Sequence, residues 1–100
     1  MIDIYELSDR ELLKRIGSNF KRMRLLMDIS QKRLAEITGI SRSTIVRFEN
    51  GKPISTFYLV KIFRGIKSLD DLDKLFILPG YTSEEMHIIS KKERKRASNN

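Results

Sequence analysis

The chain has no cysteine and no tryptophan, one histidine and only two prolines among its 100 residues. Without cysteine there are no disulfide staples and no thiolate ligands for zinc, and His87 alone cannot complete a metal site. No apolar run exceeds four residues, as at Leu75 to Leu78, so nothing in the sequence spans a bilayer. Residues Met1 to Asp9 hold three acids and no base. They lack the positive and apolar stretches of a secretory signal, and a cytoplasmic location is the expectation. There is no Gly-rich phosphate loop, no Cys/His pair and no Ser/His/Asp set, so no catalytic residue, metal or cofactor is expected and the chain does not read as an enzyme. Asp70, Asp71 and Asp73 cluster, but no further oxygen ligand follows at a suitable spacing, and they read as the acidic start of a helix.

What is present is charge, unevenly placed. The net charge of +7 divides into −3 over residues 1–9, +7 over 10–52, −1 over 53–90 and +4 over 91–100. Eleven of the twenty bases lie between Arg10 and Lys52, against four acids, a concentration that suits a polyanion such as nucleic acid. A solvated basic face would have the same composition, so a motif has to decide between them.

Scarce proline and glycine, with no alternating β pattern, predict helices joined by short turns. Ser30, Ser41 and Ser55 each follow an isoleucine and precede an apolar residue four positions on, pairing Ile29 with Leu34, Ile40 with Ile45 and Ile54 with Leu59. That is a helix N-cap with a hydrophobic staple, used three times. Ser8 and Glu11 form a capping box for an earlier helix, and Ser68 opens a last one. The spacing predicts five helices over 9–26, 31–38, 42–50, 55–66 and 69–76. The first turns Leu12, Ile16, Phe20, Met23 and Met27 inward and leaves Lys14, Lys21 and Arg22 on a solvated face. Pro79-Gly80 is a stop signal. Residues 1–78 read as one domain and 79–100 as a polar, basic tail, partly disordered, with its last ten residues mobile.

Function concentrates between Ser30 and Lys52. Ala35 is small where two short helices would cross, and Gly39 supplies the positive φ of a sharp turn. Leu34, Ile40, Ile45 and Phe48 form a buried wedge. The helical period then turns Arg42, Ser43, Val46, Arg47 and Asn50 outward. Arginine contacts guanine bidentately in the major groove, and serine or threonine bonds to several base edges or to phosphate, so this face suits base readout.

The segment, with Ser30-Gln31, Leu34-Ala35, Gly39-Ile40-Ser41 and Phe48-Glu49-Asn50-Gly51-Lys52 at its marked positions, resembles the helix-turn-helix of the Xre family, which includes the repressors and Cro proteins of lambdoid phages. The resemblance covers about residues 12–76. It implies a compact, all-α, five-helix, lambda-repressor-like DNA-binding domain. By position, Arg42, Ser43 and Arg47 would contact bases, Thr44 base or backbone, Gln31 a phosphate or an outer base, and Asn50 with Lys52 phosphate. Arg24 and Glu49 match a buried structural ion pair. Asp28 departs from the family, which usually has glycine there, but aspartate tolerates the left-handed conformation better than most residues.

The function so implied is a repressor or autoregulator that binds a palindromic double-stranded operator as a homodimer. The alternative is an antitoxin that also holds a protein toxin. The stripe Leu69, Leu72, Leu75 and Phe76, with Phe57 and Tyr58, is either core or a dimer contact. For the basic tail, a partner-binding or solubilising role is favoured over a phosphate-tracking arm. RNA is disfavoured, because no pattern of exposed aromatics suits base stacking.

Overall fold

The computed structural model describes residues 3–75 and 82–98. After a single 3-10 turn at Ile4–Glu6, the chain forms α1 (Asp9–Leu26), α2 (Gln31–Thr38), α3 (Arg42–Glu49), α4 (Thr56–Gly65), α5 (Leu69–Lys74) and α6 (Ser83–Ser98). There is no strand among the described residues. α1 packs on α3, α2 on both α3 and α4, and α4 on α5. The shared core is Phe20, Leu34, Ile40, Ile45, Phe48, Ile62 and Ile66, with Met23, Ile29, Ala35, Ile54, Leu59 and Phe63 packed against it. Thus each residue of the expected wedge is buried, and the three staple isoleucines reach the core.

The helix starts follow the serine code. The Ser30, Ser41 and Ser55 hydroxyls accept from the backbone N–H groups of Arg33, Thr44 and Tyr58. Ser8 and Glu11 bond reciprocally, each at 3.1 Å. That hydrogen bond from the Ser8 backbone, with a second from its side chain, holds the Glu11 carboxyl below its ordinary value. Ser68 is the exception: its hydroxyl makes no cap and instead donates to the Ile66 carbonyl at 3.3 Å.

The helix ends repeat one device. At α1, α3 and α4 a left-handed residue follows the last turn, at Asp28, Gly51 and Lys67 respectively. In each case its N–H bonds three residues back and the next N–H bonds five back: Asp28 to Leu25 and Ile29 to Arg24, Gly51 to Phe48 and Lys52 to Arg47, Lys67 to Arg64 and Ser68 to Phe63. These are Schellman motifs, which satisfy carbonyls that the helix would otherwise strand. α2 ends more simply, with Gly39 at φ 75° bonding back to Ala35.

Lys67, at φ 57°, carries the Cβ strain of the left-handed region with none of aspartate's local hydrogen bonding. Lys67→Gly is therefore expected to stabilise the domain by about 0.5–1 kcal/mol after glycine's entropy is subtracted, raising Tm by about 2–8 °C. A thermal melt followed by circular dichroism checks this, and a lower Tm would refute it.

Two expectations are corrected. On α1 Phe20 is buried and Leu12 and Met23 are half-buried as expected, but Ile16 is 50% exposed and Met27 is exposed, while Gly17 and Arg24 are buried and Leu13 is half-buried. The inward face is thus wider on one side than the apolar stripe, because contact with α3 is made by a glycine and an arginine. Second, residues 83–98 form a helix where a partly disordered tail is expected. Thr82 caps it: its hydroxyl accepts from the Glu85 N–H and donates to the Glu85 carboxylate, and its own N–H reaches the same Oε1 at 3.5 Å. Among the described residues no other helix packs on α6. The α4–α5 stripe, expected as core or as a dimer contact, divides: Leu72 is buried and Leu69 half-buried, whereas Phe57 and Leu75 are 67% and 72% exposed. Phe76, Pro79-Gly80 and the 78/79 boundary lie outside the described residues.

Candidate nucleic-acid interface

α2 and α3 are joined by Gly39, Ile40 and Ser41. A Cβ on Gly39 would meet nothing within 4 Å, so the glycine is there for its φ and not for space. Thr38 tightens the turn: its hydroxyl donates to the Leu34 carbonyl at 2.7 Å and accepts from the Ile40 N–H at 3.2 Å. Ile40 is buried behind it, and this sets α3 against α2.

Along α3 the roles divide by face. Ile45, Phe48 and Glu49 are buried. At the helix's step of about 100° per residue, Arg42, Ser43, Val46, Arg47 and Asn50 fall within an arc of about 140° on the other side. Arg42, Ser43, Arg47 and Asn50 are exposed and Val46 is half-buried. The side chains of Arg42 and Arg47 have no hydrogen-bond or ionic partner among the described residues, leaving two guanidinium forks free at the surface. Thr44 lies about 60° beyond the arc, half-buried, its hydroxyl 2.7 Å from that of Ser41, which also lies 3.2 Å from the Ser43 hydroxyl. The N-terminus of α3 thus presents three clustered hydroxyls and one arginine.

The other expected residues lie at the two ends of this unit. Asn50 closes α3 and Lys52 follows Gly51; both are exposed. Lys14 of α1 joins them, because a Cβ on Gly51 would lie 2.6 Å from the Lys14 Cγ and 2.9 Å from its Cα. The stem of Lys14 thus lies over the turn that carries Asn50 and Lys52. Sequence spacing alone treats Lys14 as part of a solvated face, since the pairing of α1 with the end of α3 is not legible locally. Gln31 is half-buried and its Nε2 donates to Glu49 Oε1 at 2.9 Å.

That glutamate is the centre of the buried polar network. Arg24 Nε and Nη2 donate to the two Glu49 oxygens at 2.6 and 3.0 Å, and Arg24 Nη1 donates to the Ile29 carbonyl at 2.7 Å. Arg24 is 4% exposed and Glu49 6%. Among the described residues, no buried side-chain nitrogen or oxygen lacks a partner. One carboxylate therefore ties the end of α1, the start of α2 and the end of α3. Elsewhere among the described residues, no group of acids or histidine is placed to hold a metal, and no helix is long and apolar enough to cross a membrane.

An exposed arginine-bearing helix, braced by a second short helix across a left-handed glycine, defines a helix-turn-helix DNA-binding domain. The helix-turn-helix family model matches residues 20–72, from the middle of α1 to α5. The chain belongs to this family and is an Xre-like, DNA-binding regulator of transcription. The family's function is DNA recognition and not catalysis. No curated protein matches the chain.

Proposed function

We propose that the chain is a repressor or autoregulator that reads a short operator in the major groove with α3. The observation that carries this is the pair of unpartnered guanidinium groups, Arg42 and Arg47, on the exposed face of a helix whose opposite face is locked into the core. Arg42, Ser43 and Arg47 read base edges. Thr44 contributes its remaining hydroxyl capacity to base or backbone. Asn50 and Lys52 grip phosphate at the far end, and Gln31 reaches it with the amide hydrogen and oxygen that Glu49 does not use. Residues 1–78 form the DNA-binding unit, and 79–100 are an appendage to it.

Selection of bound duplexes from a random library tests the reading, and an enriched motif is the expected outcome. On that motif Arg42→Ala and Arg47→Ala should each cost about 1–3 kcal/mol and relax preference at one base pair. Lys52→Ala should weaken all duplexes alike. Full affinity and selectivity in both arginine variants would place the reading head elsewhere.

Operator binding as a homodimer is supported by the apolar surface at α4 and α5. There Thr56, Leu59, Val60, Leu69 and Leu72 line an open groove of about 440 Å³ rimmed by Asp70 and Asp73, with Phe57 and Leu75 exposed nearby. A palindromic motif with dimer mass by sedimentation, free or on DNA, is the expected result. The antitoxin reading would place a protein toxin on the same apolar surface. It would be favoured if the chain copurified from its own cells in a fixed ratio with one other protein.

A further inference from the structure

The last eight positions of α6 hold Lys91, Lys92, Arg94, Lys95 and Arg96 against the single acid Glu93. Lys91, Lys92, Arg94 and Arg96 are exposed and have no ionic partner among the described residues. The helical period sets Lys91 beside Lys95 and Lys92 beside Arg96. These are like-charge pairs one turn apart, which destabilise an isolated helix. The Thr82–Glu85 capping box, and the acids Glu84 and Glu85 placed at the opposite end from the bases, favour the helix in spite of them. The result is a cationic helix end at which Lys91, Lys92, Arg94 and Arg96 have no acidic partner among the described residues.

We infer, against the partner-binding or solubilising role favoured from sequence alone, that α6 is a second DNA-binding element, which lays its basic end along the phosphate backbone of the duplex that α3 reads. This rests on the DNA-reading function proposed above. The six residues 91–96 span about 9 Å of helix, over which duplex DNA presents about five phosphate charges. Only residues 75–82 separate α6 from α5, a reach of at most about 30 Å. A helix held that close to a docked domain meets the backbone at millimolar effective concentration, so individually weak phosphate contacts become significant. Their contribution is to affinity and not to sequence choice, because phosphate contacts carry no base information.

The experiment compares the full chain with the quadruple variant Lys91→Gln, Lys92→Gln, Arg94→Gln, Arg96→Gln. Two duplexes of equal length are used, the one most enriched by selection and an unrelated one, and affinity is followed from low to moderate KCl. The plot of log affinity against log salt should become shallower by about two to four units in the variant. Both duplexes should lose affinity by the same factor, leaving the specificity ratio within about twofold, and circular dichroism should show undiminished helix content. A control, Lys61→Gln with Lys74→Gln, removes charge from α4 and α5 and should leave the slope unchanged. An unchanged slope in the quadruple variant overturns the inference, as does an equal change in the control. If the wild-type chain binds both duplexes without preference, the operator reading fails while the slope still decides the role of α6. If it binds neither, both fall.

Discussion

Replacing Arg24 with methionine, or Glu49 with leucine, is expected to destabilise the domain by about 3–5 kcal/mol, and the two changes together to recover most of that loss. Each single change leaves a full charge stranded among core residues. Without Arg24, the Glu49 carboxylate keeps only the Gln31 amide as a donor. Without Glu49, the guanidinium keeps only the Ile29 carbonyl. For a domain whose total stability is of the order of 5–15 kcal/mol, either loss takes a large fraction of the whole. The double variant removes both charges and fills the space with apolar atoms. The Gln31 side chain, half-buried at the start of α2, then has solvent to turn to. Urea unfolding of the four proteins in a double-mutant cycle measures this, and a double variant as unstable as the sum of its parents would show that the pair is not the coupled unit described here.

Gly17→Ala is expected to destabilise by about 1–3 kcal/mol or more, lowering Tm by about 4–24 °C, although alanine in a helix interior normally stabilises by about 1 kcal/mol over glycine. The reversal comes from α3. A Cβ at position 17 would collide with the Phe48 carbonyl oxygen and lie 2.8 Å from that of Glu49, and both are backbone atoms with no rotamer to change. α1 would have to move off the end of the reading helix. The same displacement would stretch the Arg24–Glu49 pair, so Gly17→Ala should also weaken operator binding beyond its effect on the folded fraction. A thermal melt with a parallel titration separates the two effects. A rise in Tm would mean that the two helices do not meet at this position.

These two sites mark where the sequence was readable and where it was not. Serine caps, isoleucine staples and the Gly39 turn are local signals, and the structure has helices beginning and ending within a residue or two of the positions they predict. The outward face of α3 followed from the same periodicity. The buried face of α1 followed only in part, since hydrophobic spacing finds Leu12, Phe20 and Met23 but also counts the exposed Ile16 and Met27 and passes over Gly17 and Arg24, which make the contact with α3. A glycine in the middle of a helical pattern was the available sign of close approach. Lys67 gave no sign at all: nothing about a lysine marks a left-handed position. α6 was missed for another reason. Its charge suggested a solvated tail, yet Thr82-Ser83-Glu84-Glu85 is a capping box in plain sequence.

The division of α3 into a locked face and an unattached one has a consequence for how such a protein changes over time. Among the described residues the side chains of Arg42 and Arg47 make no hydrogen bond or ion pair, and the Ser43 hydroxyl bonds only with that of the cap. Their identities are therefore almost independent of whether the chain folds. On the proposed reading of DNA by α3, the domain could be re-addressed to a new operator by exchanging surface side chains one at a time, without passing through an unstable intermediate.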